Sequence, residues 1–224
     1  MKYRDTRDPS RQVSFGEAVL RGMDPETGGL YIPLSLPELP RSFLLRNPVP
    51  SFRDIAYEVS RPFMEGEIPD EELMAIIAEA YPFTAPVTPI DPTTYVLELF
   101  HGPTCAFKDF GARFMARMMS WFNRNENEPL HILVATSGDT GSAVGSAFHG
   151  VEGIDVTILY PEGKISPLQE KQLCTFDGNV RALKVSGTFD DCQKLVKTAF
   201  TDEALRAKLR LSSVKAVFTS FWQS

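Results

Sequence analysis

The chain has 224 residues, 43% apolar and 23% charged, an ordinary globular balance that suffices for one large or two small cores and argues against wholesale disorder. Its formal charge is −6, from 29 acidic and 23 basic residues with no dense basic run, which disfavours a nucleic acid or an anionic membrane as partner. No stretch approaches the roughly 20 apolar residues of a membrane span, and no apolar run follows the charged start Met1-Lys-Tyr-Arg-Asp, so the cytoplasm is the expected compartment.

Residues 1–92 read as a mainly helical region punctuated by prolines. A short helix runs from Ser14 to Met23 and stops before Gly28 and Gly29. Ser51, with Asp54 three positions on, has the spacing of a capping box and opens a helix with Phe52, Ile55, Ala56, Val59 and Phe63 on one face. Pro69 suits a first helical position, and Leu73, Ile76, Ile77 and Ala80 then repeat at helical period. Between these helices, 33–50 is a proline-rich connector without a clear element. Prolines return from Pro82 to Pro92 and mark a boundary.

Residues 93–224 alternate strands with helices. Strands are predicted at Tyr95–Phe100, His131–Ala135, Ile154–Tyr160 and Asn179–Val185. Helices are predicted over Phe107–Asn123, with Met115, Met118, Met119 and Phe122 buried, and over Thr140–His149. Ser166-Pro167 with Gln169, and Thr188 with Asp191, carry capping chemistry for two more, the latter turning Cys192, Leu195, Val196 and Ala199 inward. This alternation predicts an α/β fold with a parallel sheet flanked by helices, where ligands bind beyond the carboxyl ends of strands.

Two segments carry chemistry. In His101-Gly-Pro-Thr-Cys-Ala-Phe-Lys-Asp-Phe-Gly-Ala-Arg113, the Lys108 ammonium is flanked by Phe107 and Phe110. Apolar surroundings disfavour the charged form and yield a usable amine, able to form a Schiff base with an aldehyde cofactor or to shuttle protons. In Val134-Ala-Thr-Ser-Gly-Asp-Thr-Gly-Ser-Ala143, a small polar loop joins a buried strand to a helix rich in Ala and Gly. Unpaired N–H groups and the dipole end of that helix make a place for a carboxylate or phosphate. The loop lacks a Walker A ending, and Gly138, Gly141 and Gly145 are not spaced as a dinucleotide fingerprint. Ser137, Asp139 or Thr140 is also a candidate helix cap.

Other candidates read as structural. Cys105, Cys174 and Cys192 form neither a disulfide framework nor a metal pattern, although Cys105 lies three residues before Lys108. His131 and His149 sit at element ends, whereas His101 adjoins the lysine segment and is a candidate pocket residue. The pairs Glu71-Glu72 and Asp190-Asp191 occupy first turns of helices, where acids oppose the dipole. Lys164 and Lys171 read as solvated.

Together, Leu99–Arg113 and Ala135–Ala143 resemble the cofactor-lysine motif and the substrate and cofactor loop of the threonine synthase family. Asp24-Pro-Glu-Thr-Gly-Gly-Leu-Tyr-Ile-Pro33, Tyr160–Ser166 and Gly187–Gln193 look like further segments of it, so the resemblance covers roughly residues 1–213. It implies the tryptophan-synthase-β-like fold and pyridoxal 5'-phosphate as cofactor. The implied reaction takes O-phospho-L-homoserine and water to L-threonine and phosphate. Lys108 is then the catalytic, cofactor-holding residue, with Phe107 and Asp139 as further cofactor contacts. Ser137, Gly138, Asp139, Thr140 and Gly141 are expected to bind the substrate. After Ser213 the family pattern gives way to a divergent tail, residues 213–224, so the α/β domain is expected to be incomplete, without the family's phosphate-holding glycine loop. Two alternatives stand beside this reading: an inactive fragment acting at most as an interaction module, and another enzyme of the fold such as a serine or threonine dehydratase. Oligomeric state is not set by the sequence.

Overall fold

The structure, a computed structural model, describes residues 1–213; the divergent tail lies outside the described residues. The chain opens with strands β1 (Tyr3–Asp5) and β2 (Gln12–Val13), helix α1 (Phe15–Arg21) and strand β3 (Tyr31–Pro33). The three strands pair antiparallel in the order β2-β1-β3. Helices α2 (Arg41–Leu44), α3 (Phe52–Ser60) and α4 (Asp70–Ala80) follow. The small sheet and α2 are absent from the periodicity reading because two to four residues are too few to display a period.

The Asp24–Pro33 segment is a structural knot of this sheet. The Asp24 carboxylate, 2% exposed, accepts from the Glu26 N–H at 2.9 Å, the Thr27 N–H at 3.1 Å and the Tyr31 hydroxyl at 2.9 Å. The Thr27 hydroxyl donates to the fully buried Asp5 at 2.7 Å and accepts from the Gly29 N–H at 2.9 Å. A Cβ at Gly29 would stand 2.4 Å from the Asp5 carboxylate, so the close approach requires glycine. Each buried carboxylate is thereby satisfied, as burial demands.

Ser14 with Glu17 and Ser51 with Asp54 form capping boxes on α1 and α3. Pro69 is the N-cap of α4 rather than its first residue, and Leu73, Ile76, Ile77 and Ala80 are buried as the period requires. On α3 the face is only partly covered: Ile55 and Val59 are exposed, while Phe52 meets Tyr81 and Phe110 and Ala56 and Tyr57 pack against the core.

Strands β4 (Val87–Pro89) and β5 (Tyr95–Leu97) pair antiparallel as a separate hairpin. This corrects the reading of Tyr95–Phe100 as a strand of the parallel sheet. Its pattern specifies extended chain but not a partner, and the short return from Pro89 permits an antiparallel one. Helix α5 (Lys108–Asn123) follows, then β6 (Leu130–Ala135), α6 (Asp139–Phe148), β7 (Ile154–Pro161), α7 (Pro167–Cys174), β8 (Val180–Val185), α8 (Phe189–Thr201), α9 (Glu203–Lys208) and β9 (Arg210–Ser213).

The main sheet has the order β8-β7-β6-β9 and is parallel throughout. Its register aligns Ile132 with Val156 and Val156 with Val180, a buried row beneath the helices. Met115, Met118 and Met119 of α5 and Val144 and Phe148 of α6 fill the layer above it. The same core continues through Phe15, Tyr3 and Leu73. Cys192 is buried as expected on α8 and Val196 and Ala199 are half-buried, but Leu195 is 49% exposed. Among the described residues no helix is long and apolar enough to cross a membrane.

Candidate active site

Lys108 is the first residue of α5, at the end of a loop folded around Asp109. The Asp109 carboxylate is fully buried and accepts from the Thr104 N–H at 2.8 Å and the Thr104 hydroxyl at 2.7 Å. A Cβ at Gly102 would lie 2.4 Å from this carboxylate. Cys105 sits in the left-handed region at φ 57°, which turns the chain into the helix; a non-glycine residue there carries backbone strain. Arg113, in the second turn of α5, donates to the Ala80 carbonyl at 2.7 Å and the Glu79 carbonyl at 3.0 Å. It ties α5 to the end of α4 and satisfies carbonyls the helix leaves open.

Lys108 is half-buried, with its Nζ 4.5 Å from the centroid of the Phe107 ring. Phe110 does not flank it. That ring turns inward to an aromatic group with Phe83 at 5.1 Å and Phe52 at 5.7 Å, because a residue two positions along a helix faces another side. The apolar neighbour of the amine is therefore one ring, itself 47% exposed, and not two. Among the described residues no carboxylate forms an ion pair with Lys108.

His101 is engaged elsewhere. Its Nε2 is 2.7 Å from Glu98 Oε2, its ring stacks on Phe100 at 4.6 Å, and Glu98 also accepts from the Thr88 hydroxyl at 2.8 Å. The hydrogen bonds from His101 and Thr88 hold the Glu98 carboxyl below its ordinary range.

The second segment joins β6 to α6. Thr136 is the organiser that inspection of the sequence does not single out. It is 1% exposed, and its Oγ1 accepts from the Gly138 N–H at 3.0 Å and the Gly141 N–H at 2.8 Å. The N-cap position is Gly138, at φ 139°, and no side chain caps the helix. The capping roles expected of Ser137, Asp139 or Thr140 are thus not realised, since Thr136 reaches the first turn from the strand side. Ser137 and Asp139 point outward, Thr140 is half-buried, and Gly138 and Gly141 are buried. Among the described residues the N–H groups of Ser137, Asp139 and Thr140 have no protein acceptor. They stand at the positive end of α6, where an anion is favoured.

The three glycines have a common explanation. A Cβ at Gly138 would come within 2.4 Å of the Gln169 amide, one at Gly141 within 2.5 Å of Thr136 and 3.0 Å of Leu173, and one at Gly145 within 2.4 Å of the Phe176 ring. Residues 169, 173 and 176 follow one face of α7 and its exit, so α6 is worn smooth where α7 lies against it.

Topology brings both segments to one edge of the sheet. The end of β6 feeds the start of α6. The end of α5 lies at the opposite edge, where the Asn123 side chain donates to the Gly153 carbonyl at 2.9 Å. Packed side by side, α5 and α6 are joined by Arg117, which donates to the Ala147 carbonyl at 3.3 Å. Arg117 is nine residues from Lys108 and Ala147 eight from Asp139, or about 13 and 12 Å along the two helices. The helix starts are thus level. A groove of about 560 Å³ opens instead at the other edge, between His149, Asp155, Asp177 and Asn179. The His149 and Asp177 side chains bond there at 2.8 Å, and none of the chemical segments reaches it. Among the described residues no cluster of His, Cys, Asp and Glu suits a metal ion.

The fold and site define a parallel α/β chain with a helix-start lysine and an anion-ready loop on a common edge. Residues 2–81 match the family profile described as threonine synthase N terminus. The threonine synthase of Escherichia coli (strain K12) is 44% identical over 217 residues, 97% of this chain and 50% of that protein. That of Saccharomyces cerevisiae is 38% identical over 236 residues, 96% of this chain and 46% of that protein. Among solved structures, threonine synthase from Escherichia coli superposes with a TM-score of 0.86 at 43% identity, covering 98% of this chain and 51% of that one. PLP-bound threonine synthase from Brucella melitensis gives 0.86 at 40% identity, covering 97% and 48%. These likenesses make the chain a relative of the threonine synthases, matched over their amino-terminal portion. It spans about half the length of the curated relatives it matches.

Proposed function

We propose that this chain supplies the lysine and the carboxylate-binding loop of a pyridoxal-phosphate-dependent threonine synthase, which converts O-phospho-L-homoserine and water into L-threonine and phosphate. The observation that carries the reading is the level placement of Lys108 and the 136–141 loop on one sheet edge, in a chain 44% identical to a threonine synthase. The residues suit the cofactor: the Lys108 amine has no competing carboxylate among the described residues and rests on the Phe107 ring. Pyridoxal phosphate, when bound, supplies an electron sink. Lys108 Nζ would hold it, and the same amine would move protons on the substrate. Phe107 and Asp139 are the neighbours assigned to the cofactor. The N–H groups of Ser137, Asp139 and Thr140 orient the substrate carboxylate, with Gly138 and Gly141 allowing the backbone to approach. A cytosolic setting belongs to the same reading, supported by three free cysteines, as suits a reducing compartment.

Incubation with pyridoxal phosphate, borohydride reduction and peptide mapping should place the label on Lys108. The variant Lys108→Ala should lose both the label and threonine formation from O-phospho-L-homoserine. A label on another lysine of the wild-type chain would overturn the assignment. One observation favours a second reading, an interaction module without turnover: the β4–β5 hairpin exposes Val87, Tyr95, Val96 and Leu97. Neither label nor product from the wild-type chain would support that reading.

A further inference from the structure

The loop contains an apparent contradiction. Asp139 is the first residue of α6, and its carboxylate would compete with any anion for the N–H groups beside it. The structure gives that carboxylate a different partner, the Gln169 side chain, whose Nε2 donates to Asp139 Oδ1 at 2.7 Å. The orientation of the Gln169 amide is not free. Its Oε1 accepts from the Ser166 N–H at 3.1 Å while the Gln169 N–H donates to Ser166 Oγ at 3.2 Å, the capping box of α7. With Oε1 so engaged, Nε2 is left to face Asp139. The same amide lies flat on Gly138, where a Cβ would stand 2.4 Å from its carbon and nitrogen.

The helix that carries Gln169 is itself held from the sheet. Glu170, the next residue, accepts from the Tyr160 hydroxyl at 3.1 Å and pairs with Lys184 at 2.8 Å. Leu173 and Phe176 then seat against the Gly141 and Gly145 positions. The side chain that meets Asp139 thus stands on a support fixed to both β7 and β8.

We propose that Gln169 is a positioning residue for the site: it holds the Asp139 carboxylate toward α7 and so keeps the N–H groups of Ser137, Asp139 and Thr140 clear for the substrate carboxylate. The proposal rests on the reading of this loop as the carboxylate cradle, and it adds a residue to that reading from a helix outside both sequence segments.

The informative variant is Gln169→Glu. It is nearly isosteric and keeps the acceptor that Ser166 requires, since a capping box takes Glu or Gln alike. It removes the donor and sets a second carboxylate against Asp139. Amide hydrogen exchange of the ligand-free chain, followed by NMR, should then show Gly138 and Gly141 exchanging about tenfold or more faster, with the amides of Leu173 and Cys174 changed by less than about twofold. Adding Asp139→Asn to Gln169→Glu restores a donor–acceptor pair with its polarity reversed, and the lost protection should return.

A residue that merely packs on Gly138 would not respond in this way. Unchanged exchange in Gln169→Glu, or a double variant no better protected than the single one, overturns the proposal. Titration with O-phospho-L-homoserine reads the cradle separately. Saturable shifts of the 137–141 amides that weaken about tenfold in Gln169→Glu support the positioning role. Equal affinity in the two chains overturns it. No shift in the wild-type chain removes the cradle reading itself, and exchange still decides whether Gln169 holds the loop.

Discussion

The unit β6–α6–β7–α7 and the hairpin β4–β5 are both built on apolar strands, yet they end in opposite states. In the first, Ile132, Val156 and Ile158 are no more than 1% exposed, and the loop between strand and helix has its bends satisfied by Thr136. In the second, Val87, Tyr95, Val96 and Leu97 are 41–61% exposed, although the strands pair and the Asp91 carboxylate satisfies the turn between them. The difference is one of partners, not of strand propensity. The first unit brings its own covering helices within a few residues of each strand. Among the described residues nothing covers the hairpin, and an isolated two-stranded ribbon is marginal in water. Local sequence therefore brings cover to the strands of the first unit and leaves those of the hairpin open.

Substitutions should separate the two regions by size of effect. Phe148→Ala empties a fully buried position of α6, and a loss of about 3–5 kcal/mol is expected in urea denaturation. A loss below about 1 kcal/mol would mean that the layer over the sheet is loosely packed.

A smaller, pH-dependent effect is expected at the amino-terminal sheet. Burial alone would raise the Asp24 carboxyl. The Thr27 and Glu26 N–H groups, the Tyr31 hydroxyl and the Arg11 guanidinium outweigh it and hold the group below its ordinary value. A carboxyl depressed by folding adds stability that is complete above its unfolded value near 3.9 and is lost as pH falls through the folded value. Asp24→Asn should therefore melt lower than the wild type at pH 6, by about 1–3 kcal/mol of stability, and the gap should close below pH of about 4. A gap that persists undiminished at pH 3 would assign the loss to packing instead.

The smallest effect belongs to the hairpin. Tyr95→Thr keeps a strand-forming residue at a position that is 61% exposed, and should change stability by less than about 0.5 kcal/mol. A change of several times that size would show that the ring is covered in solution and would erase the contrast between the regions.

Much of the architecture could be read from pattern. The strands at 131–135 and 154–160, the helices at α4, α5 and α8, and three of the four capping boxes follow from period and cap chemistry, which act over fewer than ten residues. What escaped depends on longer range. Arg210–Ser213 shows too little alternation to announce an edge strand, yet it pairs with Leu130–Leu133 at a separation of eighty residues. Ile55, Val59 and Leu195 have the period of buried residues and are exposed, because period identifies a face and not what meets it. In the site, Lys108 and the 137–141 loop were marked by residue type. Thr136 and Gln169 were not: a threonine ending a strand and a glutamine in a capping box have sufficient local explanations, and their reach across to Gly141 and Asp139 requires the fold.

The glycine contacts between α6 and α7 also bear on how this part of the chain can drift over generations. Positions 138, 141 and 145 are keyed to 169, 173 and 176, tooth by tooth, so a methyl gained on one helix needs room given up on the other. Single changes there should be rare, compensated doublets should be the route by which these helices diverge, and the backbone of the loop should outlast changes in the side chains that prop it up.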